Sequence, residues 1–399
     1  MPQSDAVCLG FWVGVGSRDE PENLAGVSHF LEHLLFKGTP RRSAREIAEQ
    51  IDRVGGDMNA FTTKEYTAFY VRLLAGDIDL GLEILCDILT DPSFLDHEVA
   101  SERQVILEEV LMHMDEPSDL VIEYLFESLY PNHPLGREVL GVPEIISNVT
   151  VDEIRSFFKK QYLPKNIVFS AAGNIDHDKI VRYITDHFHS SDSGVKPQRS
   201  APQEQVIPVK VMERDTEQAQ LAIGLKAVSR YSPYRYALSV VNQVLGGGLS
   251  SRLFQKIREE KGLAYSIGSE RVSFSDTGAL IISVGTNPSN AYQVLDMVNA
   301  ELENIARFAI TTDELEASKK HLCAETLLSI EDSGSRMSRI GASLLLHDSV
   351  ISIDEIVKRI NAVNMEDVQY IADEVFNSSP SLSVVGPFSH DNWVGYYSL

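Results

Sequence analysis

The sequence predicts an α+β protein made of two similar halves joined by a linker, and three observations predict it. The chain has 399 residues, more than one hydrophobic core ordinarily serves. The stretch 190–202 carries Ser, Gly and Pro without apolar periodicity, which is the composition of a connector. The order of elements before that stretch recurs after it, at an offset of 211 residues.

Taken in order, Val7, Leu9, Phe11, Val13 and Val15 alternate with Gly10, Gly14 and Gly16, the period of a strand. The strand starts so near residue 1 that an edge strand before it is expected to be missing, which would leave a neighbouring edge unpaired. Residues 23–37 read as a helix rich in Leu and Phe, and 45–54 as a second helix stopped by Gly55-Gly56. The pattern is extended over 58–74, helical over 77–90, 96–115, 120–129 and 151–161, and a strand again over 166–172. In the second half, 221–227 matches the opening strand, and a helix over 234–245 takes the place of the first helix. Residues 279–284, followed by a helix to about 305, match 68–73 and the helix after it. The domains are placed at 1–192 and 203–399, with a linker over 193–202.

Composition narrows the function. The formal charge of −23 excludes the basic face that nucleic-acid binding requires, and it suits a positively charged partner or substrate. Cys8, Cys86 and Cys323 are far apart and sit among apolar residues, so they read as small buried hydrophobes rather than disulfides or a cysteine metal site. No apolar run approaches the roughly 18 residues that span a bilayer, and the N-terminus lacks the marks of a signal peptide. The expectation is a cytoplasmic protein without membrane contact.

The segment His29-Phe-Leu-Glu32-His33 is the sharpest chemical signal. On a helix, positions i and i+4 share a face, so both imidazoles reach one ion about 2 Å away. Glu32 stands beside the second histidine, where a carboxylate can take a proton from water activated by the metal. The order is the inverse of the commoner HExxH. A third ligand is sought in the acidic helix that holds Glu102, Glu108 and Glu109. Glu102 and Glu109 are seven residues apart and share a face, and two carboxylates on a partly buried face need a cation. A plain solvated acidic face is the alternative.

With these residues in view, the chain resembles the pitrilysin and insulysin group of zinc peptidases, the inverzincins, and most closely the mitochondrial processing peptidase branch with its bacterial relatives. The resemblance runs through 29–39, 55–62 and 133–136 and covers essentially the whole chain. It implies two structurally similar domains, each a mostly antiparallel sheet packed with helices. It also implies His29, His33 and Glu109 as metal ligands, since 75 residues separate His33 from the family's glutamate position. Glu32 and Glu102 are the catalytic carboxylates it implies, Glu32 as base and Glu102 orienting or polarising a ligand.

For substrate, the resemblance implies that a strand edge at Asn59, Ala60 and Phe61 pairs with the peptide backbone. The segment 246–266 resembles the family stretch whose Arg and Tyr reach the substrate, here Arg258 and Tyr265. Read without the family, Arg258 is a surface residue and Tyr265 a core aromatic. The Gly246-Gly-Gly loop lacks the Lys-Ser/Thr ending of a phosphate loop and is expected to guide substrate or act as a hinge. The reading that follows is a metalloendopeptidase with one Zn²⁺ per chain. It is expected to form a homodimer that closes as a clamshell on short or unfolded peptides of basic character. The alternative is a non-catalytic peptide-binding or assembly subunit of the same fold.

Overall fold

The computed structural model describes residues 1–188 and 196–394. Residues 193–195 of the expected linker lie outside the described residues. The chain forms two compact units. The first comprises Met1–Leu111, Arg137–Ser200 and Leu328–Ile351, and the second Met112–Gly136, Ala201–Leu327 and Ser352–Leu399.

In the first unit, β1 (Ala6–Val13) lies between β3 (Thr67–Leu74) and β4 (Ile167–Ala172), antiparallel to both, and β2 (Asp57–Thr62) pairs with β3. The order is β2-β3-β1-β4. The stretch 58–74 is therefore a hairpin rather than one extended run. Its turn carries no Gly, Pro or Asn and is closed by the Thr63 backbone N–H and hydroxyl, both donating to the Tyr66 carbonyl at 2.8 Å. Val7, Leu9, Phe11 and Val13 point into a core shared with α1 (Val27–Leu34), α2 (Ala44–Arg53) and α3 (Ile78–Thr90). The other face carries Cys8 and Trp12 and is covered by the helix Ser333–His347 through Met337. Glycine is required on that helix, because a Cβ at Gly341 would lie 2.0 Å from Trp12 Nε1.

The second unit repeats the plan. β6 (Ala219–Ala227) lies between β8 (Gly278–Thr286) and β9 (Ser381–Gly386), and β7 (Ala264–Ser273) pairs with β8. The order is β5-β9-β6-β8-β7, so β7-β8-β6-β9 reproduces the first sheet, with β5 (Val209–Glu213) added in parallel to β9. The fold is α+β, with two mostly antiparallel sheets packed by helices.

The units do not follow the two halves of the sequence. α5 (Pro117–Leu129) is encoded in the first half yet packs on the second sheet, where a Cβ at Gly224 would meet Leu125 and Leu129. The helix Ser333–His347 makes the opposite exchange. Amphipathic periodicity says that such a segment is a helix with an apolar stripe, not which sheet the stripe covers. Next to the passage from Ser200 to Ala201, Arg199 is anchored in the first unit. Its guanidinium donates to both Asp19 carboxylate oxygens at 2.8 and 2.7 Å and to the Glu65 carbonyl at 2.7 Å. Of the cysteines, Cys8 and Cys86 are buried as expected, whereas Cys323 is half-buried.

Candidate metal centre

α1 is shorter than the sequence suggests. Pro21 precedes a 3₁₀ turn at Glu22–Leu24, and Gly26, in the left-handed region at φ 97°, starts the helix proper. The helix buries Val27, Phe30, Leu31 and Leu34 in the first core. That choice of face turns His29, Glu32 and His33 to one side. α4 (Asp96–Asp115) sets Val99, Glu102, Ile106 and Val110 on its buried face. Glu109 lies at the edge of that face with a side chain 42% exposed, whereas Glu108 points to solvent.

Three donor atoms converge. His29 Nε2 and His33 Nε2 stand 3.2 Å apart, and Glu109 Oε2 lies 3.6 Å from the first and 3.4 Å from the second. Ligands held at about 2.0–2.1 Å on a tetrahedral ion are about 3.3 Å apart, so the set fits one divalent ion of the zinc kind. His29 is 6% exposed. Burial, helped by charge on His33, pushes its pKa down to about 4, so its ring is neutral near pH 7 and free to act as a ligand. His33 differs. Burial works to lower it, but the hydrogen bond to Glu102 and the charges of Glu109, Glu102 and Glu32 outweigh that and hold it above its ordinary value.

Glu102 is 3% exposed and takes His33 Nδ1–H on one oxygen at 2.8 Å and Lys37 Nζ on the other at 2.5 Å. Burial alone would raise it, yet these two bonds bring it below the usual carboxylate range. With Nδ1–H given to Glu102, His33 turns the Nε2 lone pair toward the donor cluster. Glu32 stands outside the ligand set. Its Oε2 accepts the Thr62 hydroxyl at 2.6 Å. Burial raises it above the usual carboxylate range against the lowering effect of Thr62.

Thr62 ends β2, so the edge strand of the first sheet runs up to Glu32. Asn59 is exposed and its Oδ1 accepts the Ala60 N–H at 2.8 Å. Ala60 is buried, and Phe61 packs with Trp12, Tyr66 and Tyr70 at ring-centroid distances of 5.9–6.3 Å. The backbone of these residues, with the exposed Asn59 side chain, remains for a ligand at the strand edge, where among the described residues no further strand pairs.

Arg258 and Tyr265 belong to the second unit. Arg258 is exposed on the turn Phe254–Glu259, and its guanidinium lies 5.9 Å from the Tyr265 ring centroid. Tyr265, 76% exposed at the start of β7, is not the core aromatic its sequence context suggests. Sequence reasoning also missed Thr62, Lys37 and Glu20 as parts of the site's frame. Lys37 had a signal, since it lies one helical turn beyond His33. Among the described residues no helix is long and apolar enough to cross a membrane.

Comparison with known proteins identifies the family and the fold. Residues 1–142 match the family described as Insulinase (Peptidase family M16), and 148–322 match Peptidase M16 inactive domain. A Streptomyces coelicolor protein named as an uncharacterized zinc protease is 40% identical over 395 residues, covering 97% of this chain and 86% of that protein. YmxG of Bacillus subtilis, named likewise, is 39% identical and covers 97% of this chain and 94% of its own. A protease from Helicobacter pylori has a similar fold, with a TM-score of 0.90 at 24% identity over 96% of this chain and 94% of that one. A Pseudomonas fluorescens structure described as a peptidase M16 inactive domain gives a TM-score of 0.89 at 20% identity, covering 97% and 94%.

Proposed function

The chain belongs to peptidase family M16, and on that premise we propose that it is a zinc-dependent endopeptidase of the inverzincin type acting on short or unfolded peptides. The observation that carries this reading is the convergence of His29 Nε2, His33 Nε2 and Glu109 Oε2 with Glu32 beside them but not among them.

His29, His33 and Glu109 would hold one Zn²⁺ per chain. When bound, zinc would supply a Lewis acid and bring the pKa of water toward about 7. Glu32 receives the proton of the attacking water at Oε1, the oxygen that the Thr62 hydroxyl does not engage, and returns it to the leaving amine. Its raised proton affinity suits both halves of that exchange. Glu102 holds the His33 ring in the tautomer that presents Nε2. The substrate backbone pairs with the β2 edge at Asn59–Phe61, so affinity depends little on side chains. Arg258 is assigned to a substrate carbonyl and the Tyr265 hydroxyl to the developing oxyanion. The charge of −23 favours basic peptides, and the proposed working form is a cytoplasmic homodimer that encloses the peptide.

A non-catalytic peptide-binding or assembly subunit of the same fold is the competing reading. The inactive-domain match falls on 148–322, which contains neither the His-x-x-Glu-His segment nor Glu109, so it leaves the candidate metal site untouched. A binding subunit has no use for a half-buried carboxylate beside the ligand set.

The test compares wild type with Glu32→Gln, measuring bound zinc and hydrolysis of a quenched basic peptide. The introduced amide can still accept the Thr62 hydroxyl, so the fold and about one zinc per chain should persist while cleavage falls by about 10²–10⁴-fold. Zinc-loaded wild type that cleaves nothing across a varied peptide library would hand the case to the binding subunit.

A further inference from the structure

α1 lacks the usual means of closing its first turn. Its N-cap is Gly26, which has no side chain and whose amide stands before four orphan N–H groups. No other residue fits there. The backbone is left-handed at φ +97°, and a Cβ would stand 2.8 Å from Gly141 Cα. The helix that presents His29, Glu32 and His33 is therefore capped from elsewhere.

The cap is Glu20. One carboxylate oxygen accepts the Gly26 N–H at 2.8 Å and the other accepts the Ser28 N–H at 2.7 Å. Glu20 itself is held by the Arg137 guanidinium, which donates to its carbonyl at 2.8 Å, and its neighbour Asp19 is clamped by Arg199. The side chain is 5% exposed. Amides rather than a paired cation supply most of its compensation. Burial accordingly pushes the Glu20 carboxyl up to about 7, despite the lowering effect of those amides and of Arg137. A buried carboxylate at this cost would be replaced by a neutral side chain if filling space were its purpose.

We infer that Glu20 is a positioning residue for the peptidase site: its two oxygens fix the first turn of α1, and so the direction in which His29, Glu32 and His33 project. His29 follows Ser28 directly, so a shift at the Ser28 amide moves the first ligand before it moves anything else. The inference rests on the metallopeptidase reading for its effect on turnover, and on geometry alone for its effect on the metal site.

The variants are Glu20→Gln and Glu20→Asp, with the exposed Glu22→Gln as control. In glutamine one acceptor becomes an NH₂ group facing an N–H. In aspartate the charge remains, but the chain is one methylene too short to bridge both amides. Amide hydrogen exchange at Gly26 and Ser28, the d–d absorption of the Co²⁺-loaded protein, and kcat and KM are measured for each. Expected for Glu20→Gln are faster exchange at those amides, an altered Co²⁺ spectrum, and kcat down by on the order of a hundredfold with KM within about twofold. Glu20→Asp should fall between it and wild type, and Glu22→Gln should match wild type throughout. Should Glu20→Gln fail to fold, Glu20→Asp carries the same readouts. Wild-type exchange, Co²⁺ spectrum and kcat in whichever variant folds would overturn the inference and leave the peptidase reading intact. If wild type hydrolyses nothing, the peptidase reading falls, while the exchange and Co²⁺ spectra still decide the role of Glu20.

Discussion

Replacing Glu102 by glutamine changes charge while keeping shape, and the surroundings of Glu102 allow the effect to be worked out. One oxygen takes His33 Nδ1–H at 2.8 Å and the other takes Lys37 Nζ at 2.5 Å. Glutamine can keep only the first of these, because its amide NH₂ would face the Lys37 ammonium, donor against donor. Lys37, with its side chain 32% exposed, then turns to solvent. His33 exchanges a charge-assisted hydrogen bond of about 1.5–3 kcal/mol for a neutral one of about 1 kcal/mol. The difference, about 0.5–2 kcal/mol, corresponds to about two- to thirtyfold in zinc affinity. A competition titration against a chromophoric chelator measures it. Nuclear magnetic resonance titration of the metal-free protein should also show His33 moving down from its raised value, since the Glu102 bond is the leading cause that raises it. Zinc affinity within twofold of wild type and an unmoved His33 would refute the orienting role of Glu102.

Other outcomes follow from the same geometry. Glu109→Gln should lose about tenfold or more in zinc affinity, while Glu108→Gln, on the solvent side of α4, should match wild type in the same titration. Gly341→Ala would force a Cβ against Trp12, which also donates to the Ser170 hydroxyl at 2.8 Å, so urea denaturation should show a loss of about 1–3 kcal/mol. The metal-free protein should lose stability in acid through His29. Its folded pKa, about 4, lies below the ordinary 6.5, so the unfolded chain binds the proton first. The stability present above pH 6.5 is then lost as pH falls through 4, by on the order of 3 kcal/mol. His29→Gln should flatten that segment of a stability-against-pH curve.

The sequence carried the chemistry of α1 in full view, because the spacing of His29, Glu32 and His33 states a helical face whatever surrounds it. The third donor was less legible. Glu108 and Glu109 are equal as residues, and about 100° of helical rotation separates the one in solvent from the one facing the histidines. The hairpin over 58–74 was hidden because its turn uses a Thr63 hydroxyl in place of Gly or Pro. Tyr265 was misjudged for a related reason, as an aromatic among apolar residues reads as core until the strand's end is located. Glu20 left no local mark at all. Its partners are six and eight residues further on, and what called for it was a missing cap.

The exchanged helices bear on how this chain could ever have been assembled from parts. A protein severed after Ser200 would yield one fragment carrying α5 without the sheet it covers and a first sheet stripped of the helix Ser333–His347. The other fragment would have the reverse deficit, with Gly224 and its neighbours open to water. Each piece produced alone should aggregate through its bared sheet, whereas co-expression of the two should restore a soluble heterodimer. An intramolecular swap of this kind turns a tandem duplication into an obligate complementation pair, so neither copy could afterwards be lost or inherited alone.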